Sequence, residues 1–317
     1  MPDFGAQTTT DEVLEGVDLT GRRALVTGAT SGLGVETARA LASVGAAVTL
    51  AGRDPAALAE TTRRLSGMVD GADLDTLVLD LASLASVRAA AAEWLERHDR
   101  LDLLVNNAGI MCCPQGTTVD GFELQLGTNH LGHFLLTGLL LPALEAAAPA
   151  RVVNLSSGGH GIDGVDFDDP MFERRPYDPW VAYGQSKTAN VLFTVELERR
   201  HGGRGIHAYA VHPGMIMTNL GRHLTPETMA QLNERRSERA SEGTALEFKS
   251  VEAGAATTVW AATSPDLEGR GGRYLADCQL GVEGGDTGST GVAPHALDPV
   301  AARRLWELSE SLTGVAY

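Results

Sequence analysis

The segment RALVTGATSGLGVETARALASVG, residues 23–45, carries the first strand–turn–helix unit of the chain. A short apolar run ends at a glycine-rich turn, and a helical pattern follows. Glycines stand at Gly28, Gly32 and Gly34, a G-x-x-x-G-x-G spacing. Such a turn lets backbone approach a pyrophosphate closely. The helix that follows points its free N–H groups at the same place.

The unit recurs along the chain. Residues 46–53, AAVTLAGR, lead into the helical pattern 54–67, whose Asp54-Pro55 start suits an N-cap and a first helical residue. LDTLVLDLAS (74–83) precedes a helix over 84–99, and LDLLVNNAG (101–109) precedes a long segment at 121–148. ARVVNLSS (150–157) is followed, after a gap, by a helix holding Tyr183, and then by GIHAYAVHPG (205–214). Continuous apolar strands alternating with helices mean a mostly parallel sheet covered on both faces. Right-handed crossovers wind it doubly, so the predicted fold is α/β, a single doubly wound Rossmann-type domain over residues 1–317. Residues 1–19 read as an N-terminal extension, 158–182 as an inserted loop, 215–250 as a substrate lid and 298–315 as a C-terminal helix. Both interruptions leave from the carboxyl ends of strands, where ligands bind in such sheets. In the lid, NERRSER (233–239) reads as a solvated helix face.

Composition narrows the function. The 317 residues carry a net charge of −16, which argues against a nucleic-acid surface and against anionic membranes. No apolar run long enough to span a bilayer is read, and the N-terminus lacks the pattern of a signal peptide, so a cytoplasmic protein is expected. Cys112, Cys113 and Cys278 form neither a disulfide framework nor a metal motif. His130 and His133, spaced i, i+3 without a carboxylate pair, make a poor metal site, and GHGIDGVDFDD (159–169) lacks calcium-loop spacing. No metal is expected.

The second strand ends at Gly52-Arg53, where a fold preferring NAD usually places Asp or Glu. A guanidinium there suits a ribose 2′-phosphate, so NADP(H) is expected over NAD(H). Downstream, Tyr183 and Lys187 share one helical face, four residues apart. Lowering a tyrosine from pKa ~10 to ~7 takes ~4 kcal/mol. One cation at ~4 Å supplies about that at an effective dielectric of ~20.

In order, TGATSGLG (27–34), LDLAS (79–83), NNAG (106–109), TNHLGHF (128–134), VVNLSS (152–157), YGQSK (183–187) and HPG (212–214) resemble the short-chain dehydrogenase/reductase family. NHLGHF, the long gap before YGQSK and the tail LWELSESL are similar to its retinol-dehydrogenase-like and WW-domain-oxidoreductase-like branch, without a WW domain. The resemblance implies Tyr183 as general acid/base, Lys187 as the group lowering its pKa and Ser157, rather than Ser156, as oxyanion donor. It implies Asn129 as holder of a proton-relay water. It implies a cofactor site of Gly28, Thr30, Ser31, Gly32, Leu33, Gly34, Arg53, Asp80, Leu81, Asn107, Ala108, Gly109, Pro213, Gly214, Ile216 and Thr218, with Tyr183 and Lys187. The departure from the family is the distance between Ser157 and Tyr183, filled by residues 158–182.

The expected activity is an NADP(H)-dependent carbonyl reductase or alcohol dehydrogenase. Its partner would be a small, lipophilic alcohol or carbonyl compound, and a homo-oligomer is left open. Met171, Phe172, Tyr177 and Trp180, with Met215, Met217 and Leu220, are candidates to line its pocket. The alternative is a non-catalytic NADP(H)-sensing regulator on the same fold. Such a protein could lose Tyr183, Lys187 or Ser157, and this chain keeps all three.

Overall fold

The computed structural model describes residues 4–237 and 248–317. Its centre is an eight-stranded sheet. Strands β1 (Arg23–Thr27), β2 (Ala47–Gly52), β3 (Leu74–Val78), β4 (Leu103–Asn106), β5 (Ala150–Leu155), β6 (Ile206–His212), β7 (Arg273–Ala276) and β8 (Gln279–Leu280) lie in the order β8-β7-β6-β5-β4-β1-β2-β3. All neighbours are parallel except β7 and β8. The chain reverses direction across the sheet between β1 and β4, which opens a crevice above their carboxyl ends.

The strands are apolar because both faces are covered. Ala24 and Val26 of β1 join one core layer, and Leu25 joins the other. Leu104 and Val105, and Val152 and Val153, divide in the same way. One layer holds helices α1 (Gly32–Ser43) and α7 (Val251–Thr263), through Leu41 and Trp260. The other holds α3 (Leu84–Arg97), α4 (Leu124–Ala147) and α8 (Pro299–Thr313), through Trp94, Phe134 and Trp306. Helix α5 (Pro179–His201) crosses between the sheet and α8. Asp54, Asp178 and Asp298 each accept hydrogen bonds from the first turn of a helix whose first residue is proline.

Helix α4 is long and apolar enough to cross a membrane by length and composition. Within this fold 72% of that stretch is buried. Its apolar residues therefore belong to the protein core. Helix α6 (Pro226–Ser237) lies over the carboxyl end of the sheet, near the start of α5. A two-residue parallel pair, Met215–Ile216 with Phe248–Lys249, joins the two described ends of the segment read as a lid. The remainder of that segment, residues 238–247, and with it the end of NERRSER, lies outside the described residues.

Candidate active site

The glycine turn follows β1 into α1. Gly28 has φ +67°, and a Cβ there would stand 2.9 Å from the Ala108 Cα. A Cβ on Gly34 would stand 2.3 Å from the Gly28 carbonyl oxygen. The ends of β1 and β4 are locked together beneath this turn. The Thr27 hydroxyl accepts from the amides of Asn107 and Ala108 at 2.9 and 3.0 Å, and the Asn107 side-chain amide donates to the Thr27 carbonyl at 2.7 Å. His133 donates through Nδ1 to the Asn129 carbonyl, which leaves its Nε2, 2.9 Å from Thr27 Oγ1, as an acceptor. Ser31 stands at the N-terminus of α1 and makes no side-chain bond to it. The cradle is thus bare backbone at a helix N-terminus, which fits a pyrophosphate.

Around it stand the remaining cofactor candidates. Arg53 is exposed at the end of β2 and has no carboxylate partner among the described residues. Asp54 is occupied as a cap, accepting from the amides of Ala56 and Ala57 at 2.8 and 3.3 Å. Asp80 accepts from the Ala82 amide at 3.0 Å, and Leu81 is buried. Thr218 packs over the turn, its Cγ2 3.2 Å from where a Cβ on Gly32 would lie. Gly214, at φ +91°, sits against the aliphatic stem of Lys249, which is ion-paired with Asp277.

The four predicted catalytic residues lie on three elements at the same sheet edge. Tyr183 and Lys187 are on α5 and are both 3% exposed. Ser157 follows β5, and its Oγ and the Tyr183 ring both border Gly159. Its neighbour Ser156 is buried and donates to the Lys187 carbonyl at 2.9 Å, a structural bond. Ser157 is thus the serine of the two that lies beside the tyrosine ring.

Asn129 differs from expectation in its backbone. It lies in a π-helical turn, Gly127–Leu131, rather than in a regular helix. Its side chain is fully engaged: Nδ2 donates to the Ile110 carbonyl and to Ser186 Oγ, both at 2.9 Å, and Oδ1 accepts from the Ile110 amide at 2.8 Å. It flanks Gly109 together with the Lys187 ammonium. The side chain ties α4 to the β4 loop and to α5, so a water there would have to use other groups.

Burial dominates the electrostatics of the pair. Lys187 does not lower Tyr183 in the protein alone. Burial pushes Tyr183 well above its ordinary value, and the Ser157 hydrogen bond opposes this only in part. Burial also lowers Lys187, to about 8. The lysine donates instead to the Leu155 carbonyl at 2.9 Å and lies 5.7 Å from the Tyr183 ring centroid. Burial is the largest cause of the shift in each.

A sequence profile described as short chain dehydrogenase matches residues 22–228. The chain belongs to this family. A relative named "Probable oxidoreductase", from Streptomyces lividans, is 50% identical over 92% of this chain and 97% of its own length. Retinol dehydrogenase 14 of Mus musculus is 41% identical, over 93% of this chain and 86% of its own length, which agrees with the retinol-dehydrogenase-like motifs. Among solved structures, a short chain dehydrogenase from Burkholderia cenocepacia in complex with NADP is 26% identical, with a TM-score of 0.63 over 81% of this chain and 96% of its own.

The candidates for the pocket of this short-chain dehydrogenase divide by their contacts. Trp180 packs edge-on to Tyr183, with ring centroids 6.3 Å apart. Cys112, Met111, Ile162 and Leu224 complete an apolar cluster around the two rings. Of the other candidates, Met171 packs with Leu126 and Leu192. Phe172 lies under the Arg175 guanidinium and against Tyr177, and Tyr177 donates to the Cys113 carbonyl at 3.1 Å. These three serve the packing of the inserted loop itself. Met217 is 79% exposed. Cys112 and Leu224 carry no local sequence signal for the site. Long-range packing brings them there.

Proposed function

We propose that the protein is an NADP(H)-dependent oxidoreductase that reduces a carbonyl, or oxidises the matching alcohol, on a lipophilic small molecule. The observation that carries this is the buried Tyr183, with Ser157 beside it, Lys187 behind it and an apolar cluster facing it. The glycine cradle would hold the pyrophosphate, and the exposed, unpaired Arg53 suits the 2′-phosphate that separates NADP(H) from NAD(H). When bound, the nicotinamide supplies or removes hydride at the substrate carbon.

In reduction, Tyr183 gives its phenolic proton to the carbonyl oxygen as that carbon is reduced. Ser157 donates a hydrogen bond to the same oxygen and steadies its developing charge. The resulting tyrosinate is stabilised by the Lys187 ammonium and regains its proton through it. The apolar wall of Trp180, Met111, Ile162 and Leu224 favours substrates with an aliphatic or aromatic body.

The test is an aldehyde, ketone and alcohol panel followed at the nicotinamide absorbance with NADPH and NADH. Tyr183→Phe is run alongside. Turnover with NADPH that disappears in Tyr183→Phe while NADPH still binds supports the reading. Turnover retained in that variant would overturn it.

A further inference from the structure

His160 touches neither Tyr183 nor the cofactor cradle, yet it binds the turn that carries Ser157. The ring is fully buried. Its Nδ1 donates to the Ser157 carbonyl at 2.6 Å, and its Nε2 accepts from the Ala293 amide at 3.0 Å. Both ring nitrogens are thus committed and the tautomer is set. The His160 carbonyl accepts from Thr188 Oγ1, one residue beyond Lys187, and from His295 Nε2, both at 3.0 Å. The ring also lies against Tyr274 of β7, with centroids 4.8 Å apart. Burial lowers the imidazole to about 4, so it remains a neutral, one-donor, one-acceptor bridge at ordinary pH.

The turn it holds is tightly packed. A Cβ on Gly158 would lie 2.4 Å from the Thr287 carbonyl oxygen, and one on Gly161 2.3 Å from Thr287 Oγ1. Within the turn the Gly159 amide donates to Ser157 Oγ at 3.1 Å. That bond occupies an acceptor position on the hydroxyl and leaves its proton free to point toward Tyr183 and the substrate oxygen.

We infer that His160 is a positioning residue for Ser157: its Nδ1–H anchors the Ser157 carbonyl and its Nε2 ties that anchor to the C-terminal segment at Ala293, so the serine hydroxyl is aimed at the reacting oxygen. This rests on the assignment of Ser157 as oxyanion donor. Neither the sequence motifs nor the family resemblance assigns the histidine a role.

The experiment compares two replacements that each keep half of the bridge. Asn in place of His160 keeps a donor at the position of Nδ1, whereas Gln keeps an acceptor near Nε2. The variants His160→Asn, His160→Gln, Ser157→Ala and the double variant His160→Gln/Ser157→Ala are assayed with NADPH and a saturating carbonyl substrate, below their melting midpoints. The expected result is a 10- to 100-fold fall in kcat for His160→Gln with the KM for NADPH within about twofold. His160→Asn should stay within about threefold of the unaltered enzyme. The double variant should be no slower than Ser157→Ala alone. Equal losses in the Asn and Gln variants, or additive losses in the double variant, would reduce His160 to a packing residue and overturn the inference. Full activity in Ser157→Ala would instead overturn the serine assignment. Should His160→Gln not fold, His160→Asn decides: a loss as large as that of Ser157→Ala overturns the inference.

Discussion

Lys187 donates its ammonium hydrogen bond to the backbone carbonyl of Leu155 at 2.9 Å, from a position almost sealed from solvent. The lysine is therefore held in place by the end of β5, the strand that leads to Ser157. Burial lowers it to about 8 from an ordinary 10.5. Below pH 8 the folded protein bears the full cost of that buried charge. As pH rises from 8 toward 10.5, the unfolded chain holds the proton longer than the folded one, so this group adds stability. The effect amounts to ~3 kcal/mol at 1.36 per unit. Lys187→Met should be inactive yet melt above the parent protein at pH 7, with the gap shrinking by pH 10. Thermal melts across that range check it. A gap independent of pH would mean that the lysine is not strained by burial.

Acid should unfold the protein through its histidines. Burial lowers His130 and His212 to about 3 and His133 and His160 to about 4. The unfolded chain protonates each near pH ~6.5. Stability held above that value is lost as pH falls toward 4, with each histidine contributing ~1.4 kcal/mol per pH unit. Denaturant midpoints near pH 5 should report an uptake of about three to four protons on unfolding from these groups, rising from about two at pH 6.5. An uptake below two would show that these rings are already charged in the fold.

Arg53→Ala should discriminate between cofactors. Its guanidinium is exposed and has no carboxylate partner among the described residues, so its removal should leave the fold intact. NADPH binding should weaken by about 10- to 100-fold, as expected for the loss of charge-assisted bonds to a phosphate, with NADH binding within about twofold. Fluorescence titration with both nucleotides reads this directly. Equal losses would remove Arg53 from 2′-phosphate recognition.

Trp180 joins the pocket wall to α6, because its indole N–H donates to the Thr228 carbonyl at 2.8 Å while its ring covers Tyr183. Trp180→Ala should cost ~3 kcal/mol of stability, as large-to-small changes in packed sites do. It should also raise the KM for bulky lipophilic carbonyls by about 10-fold, while small aldehydes are affected less. A uniform change across a chain-length series would show that the ring acts only in packing.

The fold was legible because its signals are local. Alternating strand and helix patterns, the glycine turn and the Asp-Pro helix starts at Asp54 and Asp298 each need only a few neighbouring residues. The order of the motifs likewise puts Ser157 at the end of β5 and Tyr183 on α5 from a few neighbouring residues each. What was not legible depends on depth. The direction of the Tyr183 shift turns on how completely its helix is enclosed, and a pairwise attraction with Lys187 omits that cost. The π-turn at Asn129 has the same apolar pattern as an ordinary helix. The His160–Ala293 bond joins residues 133 positions apart. Met171, Phe172 and Tyr177 looked like pocket residues because a large apolar side chain that anchors a loop and one that faces a ligand have the same composition.

The π-turn at Gly127–Leu131 also bears on how this gene can vary. The wider turn carries one residue more than an α-helix would need over the same path, so the two halves of α4 are out of phase by about 100°, the rotation of one residue. Point substitutions there act on one side chain at a time. Loss of a single codon would close the turn into regular helix and rotate everything before it. Gln125 and Leu126 would swing off their partners, and Asn129 could no longer reach both Ile110 and Ser186. In-frame deletions across 127–131 should therefore be selected against more sharply than substitutions at the same positions, a bias that a deletion scan of the region would record.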